Sequence, residues 1–207
     1  MHKRPSLVIS ISILALLLVA AQALPATAVT PTRWGSKLTT NVQPQNFNRY
    51  CDDDGAPHPN CTWMFRHVFD RVGGEKAPKN GWIDKVRVDA CFPGSFRLQL
   101  GKVRAKAGSP GDYEAKVNRN SGLISFDGDS DNCDDGVYEI DTINITDVWV
   151  NKGEYFGVKT KTPQALRCNS GSPNVLEFVP PLVPGGGFHD PLDTNGCDPL
   201  IELQYRP

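Results

Sequence analysis

From residue 82 onward the chain alternates apolar and polar side chains in short runs. In Phe96-Arg97-Leu98-Gln99-Leu100 every second residue is apolar, and Val86, Val88 and Ala90 alternate with Arg87 and Asp89. A period of two places one set of side chains on a core and the other in water, so these segments read as half-buried strands. The same reading covers residues 82–90, 95–103, 113–117, 123–126, 137–145, 148–150, 154–159, 175–179 and 200–205. Between them stand Asn80-Gly81, Asn120-Ser121-Gly122, Asn151-Lys152-Gly153 and Asn195-Gly196, residues that tolerate positive φ and predict turns. Short strands recurring at intervals of roughly 10 residues predict an all-β fold, a two-sheet antiparallel β-sandwich whose connections could be those of a jelly-roll. Residues 62–72, with Trp63, Met64, Phe65, Val68, Phe69 and Val72, fit a helix or a strand equally well. Residues 29–60 hold few apolar positions and read as an irregular N-terminal segment, which leaves residues 61–207 as a single β-sandwich domain.

The first 28 residues follow another rule. They contain no Asp or Glu and two of the chain's 22 Lys+Arg, and an almost unbroken apolar stretch runs from Leu7 to Ala23. Met1-His2-Lys3-Arg4 supplies a positive start, and Ala21-Gln22-Ala23 and Ala26-Thr27-Ala28 offer small-x-small cleavage sites, so residues 1–28 read as a secretory signal peptide cleaved after Ala28. An uncleaved membrane anchor is the competing reading, disfavoured by the short apolar stretch. The remaining 179 residues carry 20 basic and 23 acidic side chains, a net charge of −3. A mildly acidic chain without basic runs lacks the electrostatic footprint of a nucleic-acid binder. Nothing after residue 28 approaches the ~20 apolar residues that span a bilayer. The expected location is secreted and extracellular, not membrane-spanning after signal cleavage.

In such a compartment cysteines are oxidised, and there are six: Cys51, Cys61, Cys91, Cys133, Cys168 and Cys197. Three disulfides are expected, and of the possible pairings the sequential set is preferred: Cys51 with Cys61, Cys91 with Cys133, Cys168 with Cys197. No C-x-x-C or paired Cys/His spacing supports zinc.

The segments Cys61-Thr62-Trp63, Lys76 to Arg87, Gly94 to Leu100, Lys152 to Lys159, Leu166 to Gly171, Pro180 to Gly185 and Thr194 to Cys197 occur in this order. In that pattern the chain, over about residues 61–205, resembles a group of hypothetical secreted proteins of high-GC Gram-positive bacteria. The resemblance implies export from a bacterium and carries no activity with it. The acidic runs at Asp52-Asp53-Asp54 and from Asp127 to Asp135 depart from the group.

The second of these runs, Asp127-Gly128-Asp129-Ser130-Asp131-Asn132-Cys133-Asp134-Asp135-Gly136, makes calcium the cofactor to test. A hard cation takes several oxygen ligands, and Asp127, Asp129 and Asp131 repeat the start of an EF-hand loop, with Asp135 as a further ligand. Asn132 and Tyr138 stand where that motif needs Gly and Glu, so the loop is not an EF-hand, and a solvated acidic loop is the alternative.

Aromatic rings hold sugars by stacking on their C–H faces. Trp34, in polar surroundings, reads as the most exposed aromatic residue; Trp82, after a turn, and Tyr113 are further candidates for ligand binding, while Trp63 and Trp149 lie in apolar company and read as core. Catalytic signatures are thin: neither G-x-S-x-G nor H-E-x-x-H occurs. His189-Asp190 are neighbours on an extended chain, where side chains point opposite ways. The expected function is non-enzymatic binding of extracellular carbohydrate or the cell surface. A structural or protein-interaction module using the loop from Pro180 to Pro199, and an extracellular hydrolase, are the alternatives.

Overall fold

The structure, a computed structural model, describes residues 31–38, 45–46, 52–53, 56–57, 60–66, 71–128 and 140–206. By internal contact the chain divides into Met1–Thr30 and Pro31–Pro207. The strands are β1 (Thr32–Ser36), β2 (Gln45–Asn46), β3 (Asp52–Asp53), β4 (Ala56–Pro57), β5 (Cys61–Phe65), β6 (Arg71–Val72), β7 (Gly81–Asp89) and β8 (Gly94–Ala105), followed by β9 (Tyr113–Phe126), β10 (Ile140–Val150), β11 (Tyr155–Thr160), β12 (Arg167–Phe178), β13 (Asp193–Pro199) and β14 (Ile201–Arg206). One 3₁₀ turn, Pro163–Ala165, is the sole helical element among the described residues.

Two antiparallel sheets result. Sheet A runs β10-β7-β14-β1-β6, sheet B runs β13-β12-β5-β11-β8-β9 with β2 added against β12, and β3 pairs with β4 separately. The sheets meet through one apolar cluster drawn from both, including Trp34, Ile83, Val86, Val88 and Leu203 of sheet A and Trp63, Phe65, Leu98, Leu100, Phe156 and Val158 of sheet B. Phe156 sits between Trp34 and Phe65, edge to face with each at 5.0 and 4.8 Å, the arrangement aromatic quadrupoles favour. A charged pair also crosses the sandwich: Arg167 of β12 lies 3.6 Å from Asp89 of β7, both buried.

Several sequence expectations change here. Trp34 is fully buried in β1, which pairs with β14 and β6 inside sheet A. The N-terminal segment therefore contributes to the sandwich and is not wholly irregular, and the sandwich begins before residue 61. Gly35 makes this possible: its φ is +119°, and a Cβ there would lie 2.5 Å from the Ile201 carbonyl oxygen. The turns expected at Asn120-Ser121-Gly122 and Asn195-Gly196 fall inside β9 and β13. At the first, β8 and β9 shift register between Arg97 and Gln99, so a bulge absorbs the turn-forming residues and the strand continues. Residues 61–65 form a strand, buried throughout.

That burial has a cause on the far side of sheet B. Residues 179–192 form a strap over the sheet's outer face, and Leu182 joins Met64, Ala115, Val117, Tyr155, Leu176 and Phe178 in a second apolar cluster. The Leu182 amide donates to the Thr62 hydroxyl at 3.0 Å and the Gln99 side chain donates to the Leu182 carbonyl at 3.2 Å. Further on, His189 and Ala115 exchange backbone bonds of 2.9 and 3.0 Å and Gly185 donates to Val117 at 3.1 Å, covering part of the β9 edge. An edge so paired no longer templates association with another strand.

Candidate binding site

On the outer face of sheet A, Trp82 of β7 stands directly opposite Trp149 of β10. Both indoles are exposed, Trp82 by 45% and Trp149 by 37%, and their rings meet edge to face with centroids 5.1 Å apart. Alternation puts them there. Val148 and Val150 point into the core, so Trp149 between them points out. Its position corrects the expectation that Trp149 is core, and the period-two signal that would have given the right answer was present in the sequence.

The pair is held from behind. The turn from Asn151 to Glu154 carries Gly153 at φ +82°, as the Asn-Lys-Gly sequence predicts. Glu154 is buried and accepts from the Asn118 side chain at 2.6 Å and from the Asn151 backbone at 2.8 Å, with the Arg119 guanidinium 3.3 Å away. Asn151 in turn accepts the Trp149 indole N–H at 2.9 Å, and Arg119 donates to the Trp149 carbonyl at 2.6 Å. A satisfied buried carboxylate thus fixes the turn that fixes the ring. Beside the rings, Arg206 lies opposite Trp82 and forms ion pairs with Asp84 at 2.8 Å and Asp147 at 3.1 Å. The surface combines apolar ring faces with a fringe of carboxylates and a guanidinium, groups suited to C–H stacking and hydroxyl recognition respectively.

The other predicted residues lie elsewhere. Trp34, expected to be an exposed ligand platform, is in the core. Tyr113 is half-buried on sheet B, capped by the Arg66 guanidinium 4.2 Å from its ring centroid. It lines a cavity of about 420 Å³ with Lys106, Asp112, Asp190 and Thr194, so Trp82 and Tyr113 do not share a site. In that cavity Asp190 pairs with Lys106 at 2.7 Å, raising the Lys106 pKa above its ordinary value, and His189 engages Ala115 through its backbone. Asp190 is committed to lysine and does not orient the histidine.

Of the acidic loop, Asp127 is described, and its amide and that of Gly128 donate to the Asp141 carboxylate at 3.1 and 2.9 Å. Asp129, Asp131 and Asp135 lie outside the described residues, as do Cys51 and Cys133. Among the described residues no cluster of three His, Cys, Asp or Glu could hold a metal, and none of Cys61, Cys91 and Cys168 is a free thiol.

Fold and site define an all-β sandwich with an exposed tryptophan pair on one sheet and a strapped second sheet. No family model, curated protein or solved structure matches the chain.

Proposed function

We propose that this is a secreted binding protein whose Trp82–Trp149 pair stacks on extracellular carbohydrate. The observation that carries the reading is the pair itself: two large rings in contact, exposed, and anchored on paired strands. Burying an exposed aromatic surface against a sugar's C–H face repays its cost in water, and anchoring on strands limits the entropy lost on binding. The interaction-module reading has less support, because Leu182 of the strap points inward and Phe188 lies under the Arg104 guanidinium at 3.8 Å, leaving Val183 as the exposed member of that trio.

Export is read from the composition of residues 1–28. Oxidation is part of the same reading: the β12–β13 register sets Cys197 opposite Ser170, two residues from Cys168 on the same strand, which supports the Cys168–Cys197 member of the sequential set. A jelly-roll arrangement has the support that β7 to β8, β9 to β10 and β13 to β14 each pass from one sheet to the other. Calcium on Asp127, Asp129, Asp131 and Asp135 would stiffen the connection between β9 and β10.

The test is retention of the whole protein on insoluble polysaccharides and bacterial cell walls, in calcium and in chelator. Retention by the native chain that is lost in Trp82→Ala supports the reading. Equal retention of native chain and variant sinks it, and loss in chelator alone assigns calcium a supporting part.

A further inference from the structure

We propose that the open half of sheet B's outer face is a second binding site, for an oxyanion carried on a glycan. The strap reaches one side of that face, where Leu182 covers Thr62 beside Phe178; the same cross-strand row continues through Lys159 and Arg97 to Leu123, and Arg97 and Leu123 are exposed. There Arg97, Lys159 and Lys161 line a groove of about 410 Å³ together with Asn60, Ser95 and Leu123.

The arrangement is unfavourable as it stands. Arg97 of β8 lies directly opposite Lys159 of β11, and like charges facing each other across a strand pair destabilise it. No carboxylate lines the groove among the described residues. Arg97 makes one hydrogen bond there, a 3.3 Å donation to the Ser121 carbonyl, which leaves its charge uncompensated. Among the described residues, Lys159 and Lys161 take part in no ion pair. The chain has 23 acidic side chains, and none of the described ones lines this groove.

An oxyanion seated between Arg97 and Lys159 removes the repulsion and gains charge-assisted hydrogen bonds, strongest where a guanidinium meets a carboxylate or sulfate in a fork. The remaining lining fits the sugar that carries it. Leu123 is 62% exposed and offers an apolar face, while Ser95 and Asn60 offer neutral hydrogen-bonding groups. Arg97 and Lys159 sit on paired strands and Lys161 follows β11 directly, so little ordering is required on binding. This site is independent of the tryptophan pair, which lies on the other sheet.

Matched polymers provide the test: neutral dextran, carboxymethyl-dextran and dextran sulfate, each titrated against the whole protein. The expected result is binding to one or both charged polymers over neutral dextran, weakened by added salt. Lys159→Glu with Lys161→Glu should weaken it about tenfold or more, since attraction becomes repulsion, while Lys159→Arg with Lys161→Arg and, separately, Trp82→Ala should retain it. Preference between the carboxylate and sulfate polymers identifies the oxyanion. Equal binding to all three polymers, no loss in the charge-reversed protein, or equal loss in the charge-conserving one overturns the proposal. Loss in Trp82→Ala also overturns it, because the charged polymer would then be bound by the tryptophan pair.

Discussion

The outer faces of the two sheets solve different problems. Sheet A turns its outer face to water with Arg87 bonded to Glu202 at 2.8 Å, Arg206 bridging Asp84 and Asp147, and the two tryptophans at one end. Sheet B hides much of its own beneath residues 179–192, so that Met64, Leu176 and Phe178 are as buried as the residues between the sheets. A sheet with one wet face needs alternation, whereas a sheet covered on both faces needs continuous apolar runs. Hence β7 is readable as a strand from its sequence, while Cys61-Thr62-Trp63-Met64-Phe65 fits helix and strand alike.

The largest expected effect breaks the interior that both sheets share. Phe156→Ala removes the ring between Trp34 and Phe65, and a loss of about 3–5 kcal/mol is expected from urea unfolding. Leu182→Ala strikes sheet B's outer cover, and a loss of about 2–3 kcal/mol is expected because the side chain is nearly fully buried but belongs to the smaller cluster. If the strap were merely draped over the sheet, that variant would unfold at the native urea midpoint.

Tyr205 tests the interior from the sheet A side. Its phenol is buried, and burial raises its pKa above the ordinary 10.0. The folded chain then holds the proton where the unfolded chain has released it. The Tyr205 contribution is intact below about pH 10 and is lost as pH climbs through the folded value. Tyr205→Phe should lessen the fall in urea midpoint between about pH 8 and about pH 11. The least effect is expected at the basic groove of sheet B, where Arg97→Gln relieves repulsion from Lys159 and should raise stability by about 0.2–1 kcal/mol at low salt, shrinking as salt is added. A decrease instead would mean that the Arg97 bond to the Ser121 carbonyl outweighs the repulsion.

Much of this architecture is legible in the residues themselves. β7, β8, β11 and β14 lie within one or two residues of the segments their alternation predicts, because their inner faces are apolar and their neighbours are turns. Trp149 was legible too, from Val148 and Val150, although apolar company concealed it. Trp34 was not. Its polar surroundings describe its neighbours in the chain, while its burial comes from β14, β6 and Phe156, which are far away in sequence. The same holds for β13, whose polar sequence Asp193 to Pro199 forms a strand because β12 offers it a partner.

The all-β class, most of the strands and the separate character of residues 1–28 are written in the residues, since period and composition are local properties. The burial of Trp34, the cover of residues 179–192 over sheet B and the placing of Arg97 opposite Lys159 arise only in the folded chain. Those outcomes depend on register and on which segments come together across the fold, and long-range pairing leaves no local periodicity from which to read it.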